Sequence, residues 1–398
     1  FGIPFLPYKV SINLGAHQAA ENFKKDCIDY VFLGEADLTI LELIERIEQG
    51  EPFPENIEGL VCNHDGKYLL GINKTALVPD LDQLPLFDLE QYYDLSHYYP
   101  PIHIRGNKVI NTISVRGCPY PCTFCAVAAI NGTNMRKVSI PRFVDNIELY
   151  MKKGYDSFMI YDDTFTIIKR RAIEFCREIL KRKLKFVWNC WSRVDRLDDE
   201  TLSLMREAGC YLIMFGCESM NEKTLLKLKK GYPVEQNLAG IEMAKKNGLL
   251  TSSSFMIGLP GETKEDIQHT IDVVCNKSQL DFAVFPVFEP YQGTPIYEDC
   301  EKEGRWLKDE RYKNRLLVEQ EAVWEPYSAS RENIEKLARM AFRKFYLRPS
   351  YIFNFRKIFK ELPSERKRRL IASALDYFVL SRFSLNTGKS IQVGDRYK

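Results

Sequence analysis

Three cysteines stand close together in the chain and could bind a metal centre. Cys118, Cys122 and Cys125 form a C-x3-C-x2-C run directly after a short strand-like segment. A structural zinc site takes four protein ligands, and the next part of the chain offers only the lone Cys176 as a fourth. Three thiolates on one loop instead suit a four-iron cluster that keeps one iron open to a substrate or cofactor. The alternative is a chance group of buried or zinc-binding thiols.

Residues next to the cysteines favour a cluster. Pro119 and Pro121 fix two φ angles, which lowers the entropy lost when the loop wraps a cluster. Phe124 could shield one face of the cluster from water. With this spacing and an aromatic residue before the third cysteine, the loop resembles the signature of the radical S-adenosylmethionine (SAM) superfamily. The resemblance implies a [4Fe-4S] cluster on the three cysteines, with SAM bound at the open iron and cleaved to a radical that abstracts hydrogen from an inert carbon.

Further motifs follow in the order that the superfamily shows, each after a strand. The resemblance assigns SAM contacts to residues of four of them: Asp162 and Asp163, Arg193, Glu218, and Gly258, Pro260 and Gly261. A carboxylate there accepts hydrogen bonds from the SAM amino group, a guanidinium grips the SAM carboxylate, and glycines let the backbone approach adenosine. A structural ion pair between Arg193 and Glu218 is the alternative for these two. A fifth motif, over 288–297, departs from the family pattern at Gln292.

Residues 111–300 alternate between strand-like and helical segments. The predicted strands cover 111–115, 157–161, 186–190, 212–215, 251–257 and 282–288. The predicted helices between them include 144–152, 169–182, 198–207 and 235–247. This order predicts an α/β fold, a partial (β/α)6 TIM-like barrel around a parallel sheet. Functional residues of such a fold lie at the carboxyl ends of the strands.

Residues 1–75 predict part of a Rossmann-like α/β domain. Segments 9–14 and 28–33 are strand-like and end in loops, and 39–48 has helical periodicity. This arrangement resembles the C-terminal half of the cobalamin-binding domain found ahead of many radical SAM domains. The cobalamin contacts that the resemblance implies are Gly15, His17, Gly34 and Glu35. Ala16 departs from the pattern, and for the histidine and the glutamate the alternative is an ordinary polar loop residue.

A linker precedes the barrel and a C-terminal domain follows it. Before the linker, Asp65-Gly66 predicts a small hairpin. The linker itself, 76–110, contains an aromatic run: Tyr92, Tyr93, Tyr98 and Tyr99. We expect this run to pack on a neighbouring domain rather than to contact substrate. Residues 301–398 predict a helical, basic C-terminal domain. Its basic and aromatic residues could form a membrane-surface helix, but a solvated helix face is the interpretation we favour.

Composition bounds the class of protein. The chain has 398 residues, of which 45% are hydrophobic and 28% charged, and its net charge of +2 favours no nucleic-acid partner. Eleven cysteines without a signal-peptide pattern predict a cytoplasmic protein. The eight cysteines outside the loop are expected to be small buried hydrophobes. Because the chain opens on Phe1, we expect an N-terminal portion to precede it.

The first functional hypothesis is a cobalamin-dependent radical SAM enzyme that methylates an unactivated carbon. The same parts could serve a cobalamin-dependent radical cyclase or rearrangement enzyme. A non-enzymatic iron-sulfur or zinc interaction protein is the alternative from another class. The resemblance also implies an electron donor such as flavodoxin or ferredoxin. The sequence assigns no catalytic side chain, and it leaves open whether the substrate is a small molecule, a lipid or a peptide.

Overall fold

The computed structural model describes most of the chain. It covers residues 10–13, 29–54, 56–64, 67–70, 76–86, 88–95, 104–291, 293–307 and 322–361, together with 364, 367–368 and 371. Several residues singled out in the sequence lie outside this part, so the predictions for them stay predictions: Gly15, His17, Cys27, Tyr98, Tyr99 and Gln292.

The described part contains strands and helices in regular alternation. The strands are β1 (Val10–Asn13), β2 (Tyr30–Leu33), β3 (Leu60–His64), β4 (Lys67–Leu70), β5 (Val109–Thr112), β6 (Val115–Arg116), β7 (Arg136–Lys137), β8 (Ser157–Ile160), β9 (Val187–Ser192), β10 (Cys210–Glu218), β11 (Leu250–Phe255), β12 (Phe282–Val284), β13 (Gly304–Trp306) and β14 (Trp324–Pro326). The helices are α1 (Thr39–Glu48), α2 (Val127–Asn131), α3 (Ile140–Lys152), α4 (Lys169–Lys181), α5 (Asp199–Glu207), α6 (Glu222–Lys227), α7 (Val234–Lys246), α8 (Lys264–Asn276), α9 (Pro295–Glu303), α10 (Arg331–Tyr346) and α11 (Pro349–Glu361).

Six strands form the central sheet, in the order β12-β11-β10-β9-β8-β5. Every neighbouring pair is parallel, and helices connect each strand to the next. The partial (β/α)6 barrel predicted from the sequence is therefore confirmed. Because all six strands point the same way, their carboxyl ends meet along one edge, which we call the carboxyl edge.

Helix α4 shows why these segments pack on the sheet. Its buried residues are Ala172, Phe175, Cys176 and Ile179, a spacing that places them on one face of the helix. The Phe175 ring lies edge-on to the Trp188 indole of β9, with centroids 5.3 Å apart. The indole N–H of Trp188 donates to Ala208 O at 2.8 Å, so this large buried ring leaves no polar group unpaired.

The first predicted strand, 111–115, is divided in the structure. β5 ends at Thr112, and β6 begins at Val115 and pairs with β7 instead. The break occurs because the Asp162 carboxylate takes the backbone N–H groups of Ser114 and Val115, at 2.6 and 2.9 Å. The last predicted strand, 282–288, is also shorter than expected, since β12 ends at Val284, two residues before a proline.

The N-terminal segment forms a second sheet in the order β1-β2-β3-β4. β1 and β2 are parallel, as the Rossmann-like prediction requires. The hairpin predicted around Asp65-Gly66 is present as β3 and β4, and it extends this sheet by antiparallel pairing. Helix α1 has the bounds that its periodicity predicted, and Leu43 is buried on its inner face.

The linker packs on the barrel through residues other than the predicted tyrosines. Tyr92 is 71% exposed, so for this residue the expected packing is wrong, whereas Tyr93 is 48% exposed. Leu89 and Leu95 lie against the barrel core instead, and the Leu89 amide donates to the Tyr150 hydroxyl at 3.0 Å. Burial of an apolar leucine side chain is favourable and leaves no polar group to satisfy, whereas a buried tyrosine needs a partner for its hydroxyl group.

The C-terminal helices pack against the open side of the barrel. Ile334 of α10 contacts the turn after β11, and Phe355 of α11 contacts both barrel core clusters. Ile352 and Phe353 of α11 are exposed, and the solvated helix face that we favour over contact with a membrane surface stays a prediction. None of the described helices combines the length and the apolar character needed to cross a membrane.

Candidate active site

The cysteine loop begins at a position that requires glycine. Gly117 follows β6 with a φ of +96°, and a Cβ on it would lie 2.5 Å from Asn134 O. The next amide, that of Cys118, donates to Gly132 O at 3.4 Å. The two ends of the loop, at 117–118 and 132–134, therefore lie in direct backbone contact next to the paired strands β6 and β7.

Thr123 anchors the middle of the loop to the barrel. Its amide donates to Leu228 O at 3.1 Å, and its hydroxyl donates to Lys227 O at 3.2 Å. Its carbonyl oxygen accepts from the Ile296 amide at 3.0 Å, at the start of α9. Because α6 follows the carboxyl end of β10, these bonds hold the second and third cysteines at the carboxyl edge.

Exposure separates the loop thiols from the other cysteines. Cys118, Cys122 and Cys125 are half-buried, whereas the other described cysteines are buried: Cys62, Cys176, Cys190, Cys210, Cys217, Cys275 and Cys300. Burial raises the pKa of Cys217 to about 12, which keeps that thiol protonated and inert. Three soft thiol donors on one loop, each partly open to solvent, are the donor set that a cluster of the [4Fe-4S] type takes, and their binding of one stays a prediction.

The two aspartates after β8 have different surroundings. Asp162 is buried and accepts three hydrogen bonds, two from Ser114 and one from the Val115 amide. Asp163 accepts a hydrogen bond from the Gly117 amide and lies near the cysteine loop. Burial and the charge of Asp162 raise the pKa of Asp163 to about 6. Of the two residues predicted to bind the SAM amino group, Asp163 has the freer carboxylate.

Arg193 is held firmly at the end of β9. Its Nε donates to Asp195 Oδ1 at 2.9 Å, and its Nη2 donates to Lys230 O at 2.6 Å. Its remaining terminal nitrogen, Nη1, lies 3.9 Å from Cys122 Sγ, within donor range of a sulfur acceptor. The predicted bidentate grip on the SAM carboxylate would therefore have to displace existing partners, while a hydrogen bond to the Cys122 sulfur is already in place.

Two aromatic rings enclose the Arg193 guanidinium. Its carbon lies 3.6 Å from the Tyr120 ring centroid and 4.9 Å from that of Tyr232. Cation–π attraction and exclusion of water both strengthen the bonds this cation makes. Sequence reasoning missed Tyr120 and Tyr232, although Tyr120 lies inside the cysteine loop between its two prolines.

Glu218 pairs with a lysine that the sequence did not single out. The Lys230 Nζ lies 3.6 Å from Glu218 Oε1, and the two side chains are 5% and 10% exposed. Lys230 also lies 5.7 Å from the ring centroid of Phe124, which places the pair beside the cysteine loop. The alternative ion pair between Arg193 and Glu218 is therefore wrong, because each has another partner.

The backbone at Glu218 is unusual for a non-glycine residue. Its φ is +66°, and the register between β10 and β11 shifts between Gly216 and Glu218. A bulge of this kind re-aims a side chain at the end of a strand, and left-handed backbone at a bulky residue costs about 1 to 3 kcal/mol. Such local strain is typical of functional positions.

The turn after β11 is closed by its own glutamate. Glu262 Oε2 accepts the amides of Gly258 and Leu259, at 3.2 and 3.0 Å. Gly258 has a φ of +88°, and a Cβ there would lie 2.9 Å from Ile334. Glycine is thus required at this position by the turn and by the packing of α10, whatever ligand the turn binds.

The remaining residues of this turn are placed differently. Pro260 is buried, and Gly261 has a φ of +77°. Gly261 lies beside an ion pair between Lys227 and Glu303, whose Nζ and Oε1 are 2.6 Å apart. The predicted adenosine contacts of Gly258, Pro260 and Gly261 stay predictions.

Glu262→Gln is expected to change the pH dependence of stability. Burial raises the pKa of the Glu262 carboxyl from 4.5 to about 7, so between these values the folded protein holds a proton that the unfolded chain releases. The free energy of unfolding therefore falls as pH rises through this window, by about 3 kcal/mol from this group. Urea unfolding near pH 4.5 and near pH 7 measures the free energy of unfolding at the two ends of this pH window, and the difference between them should be smaller for the variant. Parallel profiles for the variant and the natural protein would contradict this.

Glu35, predicted to contact cobalamin, is engaged by arginines of the barrel domain. Its carboxylate is bound by both terminal nitrogens of Arg136 and accepts the Val78 amide at 2.7 Å. Gly34 precedes it with a φ of +90° and bridges to Ala76. Both oxygens of Glu35 are therefore occupied by protein groups.

The structure thus brings together, at the carboxyl edge of an open barrel, three cluster-type thiols, a carboxylate and two buried cations. A family model described as the Radical SAM superfamily matches residues 112–274. A curated relative from Pyrococcus horikoshii, an uncharacterized methyltransferase, is 31% identical over 82% of this chain and 69% of its own length. An anaerobic magnesium-protoporphyrin IX monomethyl ester cyclase of Rubrivivax gelatinosus is 25% identical over 89% of this chain and 62% of its own.

Among solved structures, the chain resembles the radical SAM methyltransferase TsrM from Kitasatospora setae, with cobalamin and a [4Fe-4S] cluster bound. The TM-score is 0.58 at 19% identity, over 74% of this chain and 57% of that one, and this likeness shows the fold alone. The chain thus spans between 57% and 69% of the length of these proteins. By its similarity to the Pyrococcus protein and its domain match, the chain belongs to the radical SAM superfamily. Membership implies a [4Fe-4S] cluster and SAM as cofactors.

Proposed function

We propose that the protein is a cobalamin-dependent radical SAM methyltransferase acting on an unactivated carbon. The observation that carries the proposal is the loop of three half-buried thiols at the carboxyl edge, beside Asp163 and Arg193. When bound at this site, a reduced cluster would supply the electron that cleaves SAM, and cobalamin would carry the methyl group to the substrate.

Different residues of the chain bind the cluster and SAM. Cys118, Cys122 and Cys125 hold the cluster, and Asp163 accepts hydrogen bonds from the SAM amino group. Arg193 donates to the Cys122 sulfur, and hydrogen bonds to a cluster sulfur raise the reduction potential. The rings enclosing Arg193 exclude water from this side of the site, which protects a radical from being quenched.

Cobalamin is assigned to the N-terminal sheet. Support comes from the parallel pairing of β1 and β2. It also comes from Gly34, which follows β2 in a left-handed conformation and has no side chain to block the approach of a cofactor. The fold likeness to a methyltransferase with bound cobalamin supports the same assignment. Gly15 and His17 remain the proposed contacts on the β1 side, while the occupied carboxylate of Glu35 points to a different role.

A cobalamin-dependent radical cyclase is the second candidate. The observation that favours it is the Rubrivivax relative named a cyclase, which matches 89% of this chain. The two candidates share the cluster site and differ in whether a methyl group leaves SAM. We propose for both an electron donor such as flavodoxin or ferredoxin.

Anaerobic reconstitution of the full natural protein tests the proposal. With SAM and a chemical reductant, we expect 5'-deoxyadenosine to be released. Protein loaded with cobalamin should in addition form S-adenosylhomocysteine, near-stoichiometric with bound cobalamin, and cobalamin-free protein should form none. Release of 5'-deoxyadenosine without S-adenosylhomocysteine in loaded protein would favour the cyclase, and absence of both products would contradict both candidates.

A further inference from the structure

The base of the cysteine loop carries two facing arginines. β6 and β7 pair so that Arg116 lies directly opposite Arg136, and these two strands enclose the loop. Like charges at opposed positions of a ladder repel each other. The Arg136 side chain is only 10% exposed, so water screens this repulsion poorly. The ribbon at the base of the loop therefore needs negative charge from elsewhere.

The N-terminal sheet supplies that charge. Glu35 binds Arg136 through two hydrogen bonds, from Nη1 to Oε2 at 2.5 Å and from Nη2 to Oε1 at 2.6 Å. The same Oε2 lies 3.3 Å from Arg116 Nη1. Asp37 binds Arg116 in the same two-point manner, at 2.8 and 3.2 Å. Two carboxylates thus neutralise two guanidiniums.

The two arginines are connected to the first cysteine of the loop, Cys118, through a few backbone atoms and hydrogen bonds. Arg116 precedes Cys118 by two residues, and Arg136 Nη2 also donates to Asn131 O at 2.9 Å. The next carbonyl along, that of Gly132, accepts the Cys118 amide. A shift of either arginine would therefore move the backbone on both sides of this thiol.

We propose that Glu35 and Asp37 are positioning residues for the iron-sulfur cluster: through Arg136 and Arg116 they hold the base of the cysteine loop, so the N-terminal sheet sets the geometry of Cys118. This role replaces the cobalamin contact predicted for Glu35. The inference rests on the cluster site proposed above and is independent of the substrate and of cobalamin.

Glu35→Gln tests the inference, because it keeps the shape and the acceptor for Val78 but removes the charge. In protein without the cluster, we expect amide hydrogen exchange across 117–125 to become at least about tenfold faster. After reconstitution, we expect the iron content to fall to less than half that of the natural protein. The electron paramagnetic resonance signal of the remaining reduced cluster should broaden as its geometry becomes heterogeneous.

Asp281→Asn is the matched control. Asp281 pairs with Lys245 at 2.7 Å and accepts the Thr251 amide at 2.9 Å, at the opposite end of the sheet from the cysteine loop. This variant loses a comparable ion pair, and it should leave the iron content, the resonance signal and the exchange across 117–125 unchanged. Equal effects of both variants on the loop would overturn the inference, since they would report a general loss of stability.

Asp37→Asn provides a second, milder variant. The Asp37 side chain is 32% exposed, so its replacement should preserve the fold even if Glu35→Gln does not. We expect amide hydrogen exchange across 117–125 to be faster than in the natural protein, but by a smaller factor than in Glu35→Gln. The inference would be overturned if every variant that folds had the same amide exchange rates across 117–125 and the same iron content as the natural protein. Failure of the natural protein to bind iron would instead refute the cluster site itself.

Discussion

Simultaneous replacement of Cys118, Cys122 and Cys125 by alanine is expected to remove bound iron and abolish reductive cleavage of SAM. The described cysteines outside the loop are all buried in the core, so although Cys176, Cys190 and Cys210 are neighbours there, they offer no accessible second set of ligands. Iron should fall from about four atoms per chain to near zero, and the visible absorption of the cluster should be lost. Thermal unfolding should change little, because the three thiols are half-buried and lie on a loop held by Thr123.

Cys176→Ala is the control for this experiment. Cys176 was the one downstream residue that could have completed a zinc site, and it lies fully buried on the inner face of α4. Its replacement should leave iron and SAM cleavage intact. Retention of about four irons in the triple variant, or loss of iron in Cys176→Ala, would contradict the assignment of the ligands.

The sequence was sufficient to predict most elements of the barrel, because their signals are local. Helix α4 was expected over 169–182 and spans Lys169–Lys181, since its apolar residues recur at helical spacing. The glycine turn after β11 was recognised from five consecutive residues. In both cases the residues that decide the structure are neighbours in the chain.

The partners of the charged residues could not be predicted in this way. Asp162 binds residues 47 and 48 positions away, and Glu35 binds an arginine 101 positions away. Their carboxylates could be assigned to a ligand or to the protein only after the tertiary structure brought these segments together. Lys230 was missed for the same reason, since its pairing with Glu218 depends on a bulge in β10.

Lys230→Met is expected to destabilise the folded protein in a pH-dependent manner. Burial raises the pKa of the Glu218 carboxyl, and Lys230 lowers it. Without the lysine this pKa rises further, so above it the folded protein holds a buried and unpaired charge. We expect a loss of about 3 kcal/mol at mildly alkaline pH. The loss should shrink in mild acid, where Glu218 takes up a proton.

Urea unfolding of the single variant and of Lys230→Met/Glu218→Gln measures this effect. The double variant removes both charges and should recover most of the lost stability at alkaline pH. A loss that is equal in acid and alkali, or a double variant as unstable as the single one, would show that packing rather than charge is responsible.

Glu218→Gln alone separates a structural role of the carboxylate from a role in binding SAM. If Glu218 accepts hydrogen bonds from SAM, the neutral amide should weaken SAM binding by about 1 to 3 kcal/mol in reconstituted protein, measured by isothermal titration calorimetry. The strained backbone at Glu218 and its position beside Phe124 favour this result, because a residue needed only for the ion pair gains nothing from a left-handed conformation. An unchanged dissociation constant would assign Glu218 to the structural pair with Lys230 and leave Asp163 as the carboxylate of the SAM site.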